Sequence, residues 1–127
     1  MQQQYTKKVF EYFQNPQHAG EFKDPDGTGE VGNPKCGDMM EISIKVSDDR
    51  IDDIKFKTFG CIAAISSTEA LCRVAKGKTL EEAKRITSKE IMEELGGLPP
   101  VKIHCSVLGA DALKKAIEDY ENRAGKK

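Results

Sequence analysis

Residues Met40 to Gly60 read "MEISIKVSDDRIDDIKFKTFG". Met40, Ile42, Ile44 and Val46 alternate with Glu41, Ser43 and Lys45, the two-residue period of a strand with one buried and one wet face. "SDDR", Ser47 to Arg50, makes a turn. A second strand over about Ile51 to Phe59 puts Ile54, Phe56 and Thr58 on one side. The stretch predicts an antiparallel hairpin, ended by Gly60-Cys61. "IAAISSTEALCRVAK", Ile62 to Lys76, follows with the composition of a helix packed on that sheet, and Gly77 suits its stop.

Toward the N-terminus, "HAGEFKDPDGTGEVGNPKCGD", residues 18–38, is rich in Gly, Pro and Asp. It predicts a long loop with a short strand near Gly29 to Val31. Before it, Tyr5, Val9 and Phe13 recur at four-residue steps, one apolar stripe on a short helix that Asn15-Pro16 stops. Toward the C-terminus, "TLEE", Thr79 to Glu82, matches a capping box for a short helix. "TSKEIMEEL", Thr87 to Leu95, starts another, closed by Gly96-Gly97. A last helix runs from about Ser106 to Asn122, with Val107, Leu108, Ala112, Leu113, Ala116, Ile117 and Tyr120 on its buried side.

The 127 residues predict one domain, with an ordered core over about 5–120 and tails at 1–4 and 123–127. Twenty basic residues against 21 acidic leave a net charge of −1, so no basic footprint points to nucleic acid. No apolar run approaches a membrane span. "MQQQYTKKVF" lacks a signal peptide's apolar stretch, and the first arginine is Arg50, unlike a transit peptide. Four cysteines suit disulfides in small secreted domains, and nothing points to secretion. The chain reads as cytoplasmic, with reduced thiols.

Cys36, Cys61 and Cys105 each stand at a junction: the end of the Gly/Pro loop, the strand-to-helix step, and the residue before the last helix. A cysteine at a helix N-terminus has its thiol pKa lowered, and thiolate is both metal ligand and sulfur nucleophile. Asp38 lies two residues after Cys36, Lys35 just before it, and His104 beside Cys105. Three thiolates with one carboxylate or imidazole would suit Zn²⁺ or a small iron–sulfur cluster. The spacings, 25 and 44 positions with no C-x-x-C pair, also fit three unrelated buried thiols. Cys72 lies 11 positions after Cys61, about 16 Å along a helix at about 1.5 Å per residue, too far to share one metal. It reads as core. His18, in the loop after the first helix, reads as a surface or turn residue.

The segments "YFQNPQHAGEF", "NPKCGDMMEISIKV", "FKTFGC", "KGKTLEEA" and "LPPVKIHCSVLGADALKKAI" together resemble the IscU/NifU-type iron–sulfur cluster assembly scaffolds, over about Tyr5 to Tyr120. The resemblance implies an α+β fold: a small three-stranded antiparallel sheet, helices packed on one face, and a partly exposed site at one end. It implies Cys36, Cys61 and Cys105 as ligands of a [2Fe–2S] cluster, with Asp38 and His104 as the additional polar positions. It further implies a cysteine desulfurase as sulfur donor and Cys105 as persulfide acceptor. Iron and electrons come from donor proteins, and acceptor apo-proteins take the cluster. Zn²⁺ can stand in the apo form. Leu98, Pro99, Pro100, Val101 and Lys102 match the docking site of an Hsp70-type chaperone with its co-chaperone. Ile62 after Cys61 departs from the small residue common there. The alternative is a zinc-binding sulfur-acceptor partner that stimulates a desulfurase without building clusters. The chain lacks that branch's insertion between the second and third cysteines and keeps His104.

Overall fold

The computed structural model describes residues 6–33, 38–59, 62–96 and 104–123. The side chains of Asn33, Asp38, Phe59, Ala63 and residues 104–106 lie outside that description. The elements run α1 (Lys7–Gln14), β1 (Gly27–Asn33), β2 (Asp38–Ser47), β3 (Arg50–Phe59), α2 (Ile62–Ala75), α3 (Leu80–Lys84), α4 (Ser88–Leu95) and α5 (His104–Arg123). The three strands form one antiparallel sheet in the order β1-β2-β3. Helices α2 and α5 lie along it, α2 against β3 and α5 against β1 and β2. The α+β class and the three-stranded sheet implied by the resemblance are both present.

The predicted hairpin forms as the alternation requires. Met40, Ile42 and Ile44 are buried, and Asp48 and Asp49 take positive φ, 54° and 60°, in a two-residue turn whose twist suits the flanking strands. The second strand holds a feature that simple alternation does not give. Ile51 and Ile54 are both buried although three positions apart. The pairing runs Val46↔Ile51 and then Lys45↔Asp53, so Asp52 is an extra residue and the inward face changes parity there.

Strand β1 is longer than expected, seven residues rather than a short piece near Gly29. "GTGEVGN" has little β-propensity. Its pairing with β2 and its covering by α5 make the strand. A Cβ on Gly27 would lie 2.3 Å from the carbonyl oxygen of Ala116, and one on Gly29 2.3 Å from that of Ala112. Only glycine lets the helix backbone come that close.

The helix ends follow their capping chemistry. Thr79 and Glu82 make a reciprocal capping box on α3, and Thr87 and Glu90 make another on α4. Gly96 closes α4 in the left-handed conformation at φ 82°. Three expectations are corrected. In α1 the buried pair is Val9 and Tyr12, and Phe13 is 40% exposed. A three-residue step matches the helix as well as a four-residue step, and Tyr12 is the ring that finds a polar partner inside. Helix α5 begins at His104, two residues before Ser106, so His104 and Cys105 belong to its first turn. On that helix Ala112, Leu113, Ala116 and Ile117 are buried as expected, but Val107 is 45% exposed.

Candidate metal centre at the end of the sheet

The backbone brings the junctions to one end of the molecule. Asn33 pairs with Asp38, and Met39 pairs with Phe59. The end of β1, the start of β2 and the end of β3 are therefore neighbours. Connection 34–37 spans the first two, and connection 60–61 leaves the third for Ile62 at the start of α2. Helix α5 arrives from the opposite direction. Gly27 faces Ala116 and Tyr120, and Gly29 faces Ala112 and Ala116. Two strand residues, about 6.7 Å, thus match one helical turn. Four more strand residues, from Gly29 to Asn33, cover about 13 Å, or roughly nine helix residues at about 1.5 Å each. That extrapolation brings the first turn of α5, with His104 and Cys105, level with Asn33 and Asp38. Gly109 supplies an independent check: a Cβ on it would lie 3.7 Å from Sδ of Met40, two residues into β2 from Asp38.

The placement of each candidate follows. Asp38 is the first residue of β2, and His104 and Cys105 are the first two of α5. Their side chains lie outside the described set. Cys36, Cys61 and the segment Leu98 to Lys102 lie wholly outside the described residues. Cys36 falls within the 34–37 connection, and Cys61 directly precedes α2. Ile62, the departure noted in the sequence, is partly buried against the core. Among the described residues, no three His, Cys, Asp or Glu side chains gather to hold a metal.

Cys72 is where core chemistry puts it. It is fully buried on α2 and unpaired, and burial pushes its thiol pKa up, with Glu69 and Asp53 adding to the shift. A thiol held protonated in the core is a poor ligand and a poor nucleophile.

Helix α2, which leaves the site, is anchored by polar groups that the sequence reading did not single out. Ser66, Ser67, Thr68 and Glu69 are all buried. The Ser66 hydroxyl reaches the carbonyls of Ile62 and Val9, at 2.7 and 2.8 Å. Thr68 donates to Ala64 O at 2.6 Å and contacts Sδ of Met40 at 3.3 Å. Glu69 accepts from the backbone N–H of His18 at 2.9 Å and from Nε of Arg73 at 2.7 Å. His18 Nδ1 lies 2.8 Å from its Oε2. So His18 is a turn residue as expected, but one fastened to a buried carboxylate. The available signal was Glu69 itself, the one charge in the otherwise small and apolar run from Ile62 to Cys72. A buried charge requires partners.

Comparisons with known proteins agree with this architecture. A family profile for the NifU-like N terminal domain matches residues 4–127. The chain is 57% identical over 122 residues to "Iron-sulfur cluster assembly scaffold protein IscU 1" of Archaeoglobus fulgidus, covering 96% of this chain and 80% of that one. It is 50% identical over 125 residues to the scaffold protein IscU of Azotobacter vinelandii, covering 95% and 97%. In structure it is similar to a NifU-like protein (N-terminal) from Brucella abortus, with TM-score 0.73 over 93% of this chain and 94% of that chain. Their identity is 20%, which speaks for the fold alone. With a profile spanning almost its whole length and relatives near half identity, the chain belongs to the NifU-like N-terminal domain family.

Proposed function

We propose that this chain, acting as a single scaffold domain over residues 1–127, is a platform on which [2Fe–2S] clusters are assembled de novo and from which they pass to acceptor proteins. Two observations support it: the strand ends flanking Cys36 and Cys61 are paired neighbours, and the contacts of Gly29 and Gly109 carry the line of α5 toward that same end of the sheet. Family membership supplies the chemistry that such a meeting would serve, since the relatives at 57% and 50% identity carry the name of cluster assembly scaffolds.

In this proposal Cys36, Cys61 and Cys105 supply three thiolates, and Asp38 or His104 supplies the fourth donor. In sequence, Cys61 directly precedes α2 and Cys105 is the second residue of α5, and the unpaired N–H groups of a helix's first turn favour a negative charge. The Cys105 thiolate attacks the outer sulfur of a persulfide on a cysteine desulfurase. The new S–S bond forms as the old one breaks, and the desulfurase cysteine leaves as thiolate. Two electrons from a donor protein then cleave the Cys105 persulfide to thiolate and hydrosulfide, which combines with supplied iron as cargo. The carbon–sulfur bond is broken on the desulfurase, so the scaffold is not itself a turnover enzyme. One oxygen or nitrogen donor among the sulfurs weakens the hold on the cargo and favours release. Without iron, the same donors suit Zn²⁺ in a tetrahedral site.

Leu98 to Lys102, between α4 and α5, serve in this proposal as the docking segment for an Hsp70-type chaperone and co-chaperone. Two prolines hold such a segment extended. The chain works in the cytoplasm. Among the described residues no helix is long and apolar enough to cross a membrane.

Anaerobic reconstitution with iron, cysteine and a desulfurase tests the proposal. A [2Fe–2S] absorption spectrum is expected, lost in Cys36→Ser, Cys61→Ser and Cys105→Ser and retained in Cys72→Ser. Zinc binding with stimulation of the desulfurase but no cluster would establish the sulfur-acceptor alternative instead.

A further inference from the structure

Helix α1 packs mainly on α2, with Val9 and Tyr12 in the core, and a separate set of polar contacts ties it to the last turn of α4. Val9 and Tyr12 are its two buried residues. Thr6, its N-cap, does two things at once. Its hydroxyl oxygen accepts from Val9 N–H at 3.2 Å, and its O–H donates to the carbonyl of Leu95 at 2.5 Å. That carbonyl belongs to the end of α4, where intrahelical donors run out. The Tyr12 hydroxyl donates to Oε2 of Glu94 at 2.6 Å, and the Arg73 guanidinium sits 4.1 Å above the Tyr12 ring. Burial, then the Glu94 contact, pushes the Tyr12 pKa up to about 12, so the hydroxyl remains a donor. The methyl of Thr6 lies 3.2 Å from where a Cβ on Gly96 would be. Residues 94, 95 and 96 therefore each have a contact with α1 or its cap.

An eight-residue helix is too short to persist by itself in water. Its structure depends on its docking, so undocking and unfolding are one event for α1. We propose that α1 is a releasable strap over the end of α4: docked, it pins Leu95 and Gly96, and released, it unfolds and frees them in the same step. The linkage is reciprocal. A partner that captures α1 through its exposed Phe10 and Phe13 loosens Gly96, and a force on the chain leaving Gly96 weakens the docking of α1. Under the function proposed above, that chain carries Leu98 to Lys102 and leads to His104 and Cys105, so the strap would regulate access to the site. This consequence rests on that proposal; the strap itself does not.

Amide hydrogen exchange on the full chain tests the strap without reference to clusters. Tyr12→Phe removes one hydroxyl at constant shape, and Thr6→Val removes another. Each lost bond should raise opening on the order of tenfold. The expected result is that the amides of α1 and those of Leu95 and Gly96 speed up by the same factor in each variant. Ile42 and Ile44 in β2 should stay as slow as before, and Thr6→Ser should behave as the parent. Acceleration of α1 alone in Tyr12→Phe would overturn the strap, because docking and the end of α4 would then be independent. No change in either segment would overturn it too, as would equal acceleration of β2, which would make α1 part of the global unit.

Discussion

Helices α1 and α5 cover the same core from opposite ends of the chain, and they are held in different ways. Helix α5 lies on β1 with backbone against backbone, where Gly27 and Gly29 leave no room for a methyl group, and it buries Ala112, Leu113, Ala116 and Ile117. It cannot slide or lift without losing that fit. Helix α1 buries two side chains and relies on three hydroxyl contacts, from Thr6, Tyr12 and Ser66. The first arrangement fixes the position of a helix whose opening turn carries His104 and Cys105. The second is a smaller attachment, two buried side chains and a few hydroxyl bonds. Under the proposed function, the residues that need fixed ligand geometry begin the more tightly fitted helix, while α1 is held through α2 and the end of α4.

The contrast can be broken most severely at β1. Gly29→Ala puts a Cβ 2.3 Å from the Ala112 carbonyl, a backbone atom that cannot step aside. A loss of about 3 kcal/mol or more is expected, with a fall in Tm near 10 °C measured by calorimetry. Next comes Glu69→Ala, which leaves Arg73 and His18 without their shared carboxylate. Because Arg73 is partly exposed and can turn to water, the expected cost is about 2–3 kcal/mol by urea denaturation. Raising the pH sharpens the comparison from the α1 side. The Tyr12 pKa is raised in the folded state, so its contribution is complete below about pH 10. It is lost as the pH climbs to about 12, by an amount on the order of 2 kcal/mol. Fluorescence or exchange should show α1 loosening in that window, and Tyr12→Phe should lack this component. Gly96→Ala, at φ 82° and against the Thr6 methyl, should cost about 1 kcal/mol, read from the same urea curves. The smallest effect lies in acid. The capping-box bond from Thr79 N–H holds the Glu82 carboxyl pKa down, so that contribution is present at neutral pH and is lost as pH falls through the carboxylate range. Amide exchange in α3 should rise there before the core responds.

What could be read from the sequence was local. The hairpin, the Thr79 capping box, the Gly96 stop and most of the buried face of α5 depend on neighbours within a turn or a strand pair. Strand β1 was underestimated because its glycines carry no alternating pattern; they answer to α5, some 85 positions away. The start of α5 was placed two residues late, at Ser106, whereas the helix continues back through Cys105 to His104. The stripe through Phe13 failed because a four-residue step in apolarity passes over Tyr12, whose hydroxyl finds its acceptor, Glu94, 82 positions later. For the candidate centre, Cys36, Cys61 and Cys105 could be nominated from their junctions. That the strand ends flanking Cys36 and Cys61 are neighbours follows from register, Asn33 with Asp38 and Met39 with Phe59, which no spacing of cysteines encodes.

The most direct measurement of that shared end is a titration of the apo chain with Co²⁺ under anaerobic conditions, following the thiolate-to-metal charge-transfer absorption. One tightly bound ion per chain is predicted, with the band diminished by each of Cys36→Ser, Cys61→Ser and Cys105→Ser and untouched by Cys72→Ser. A band that survives replacement of any of the first three at full strength, or that depends on Cys72, would contradict a single centre at the end of the sheet.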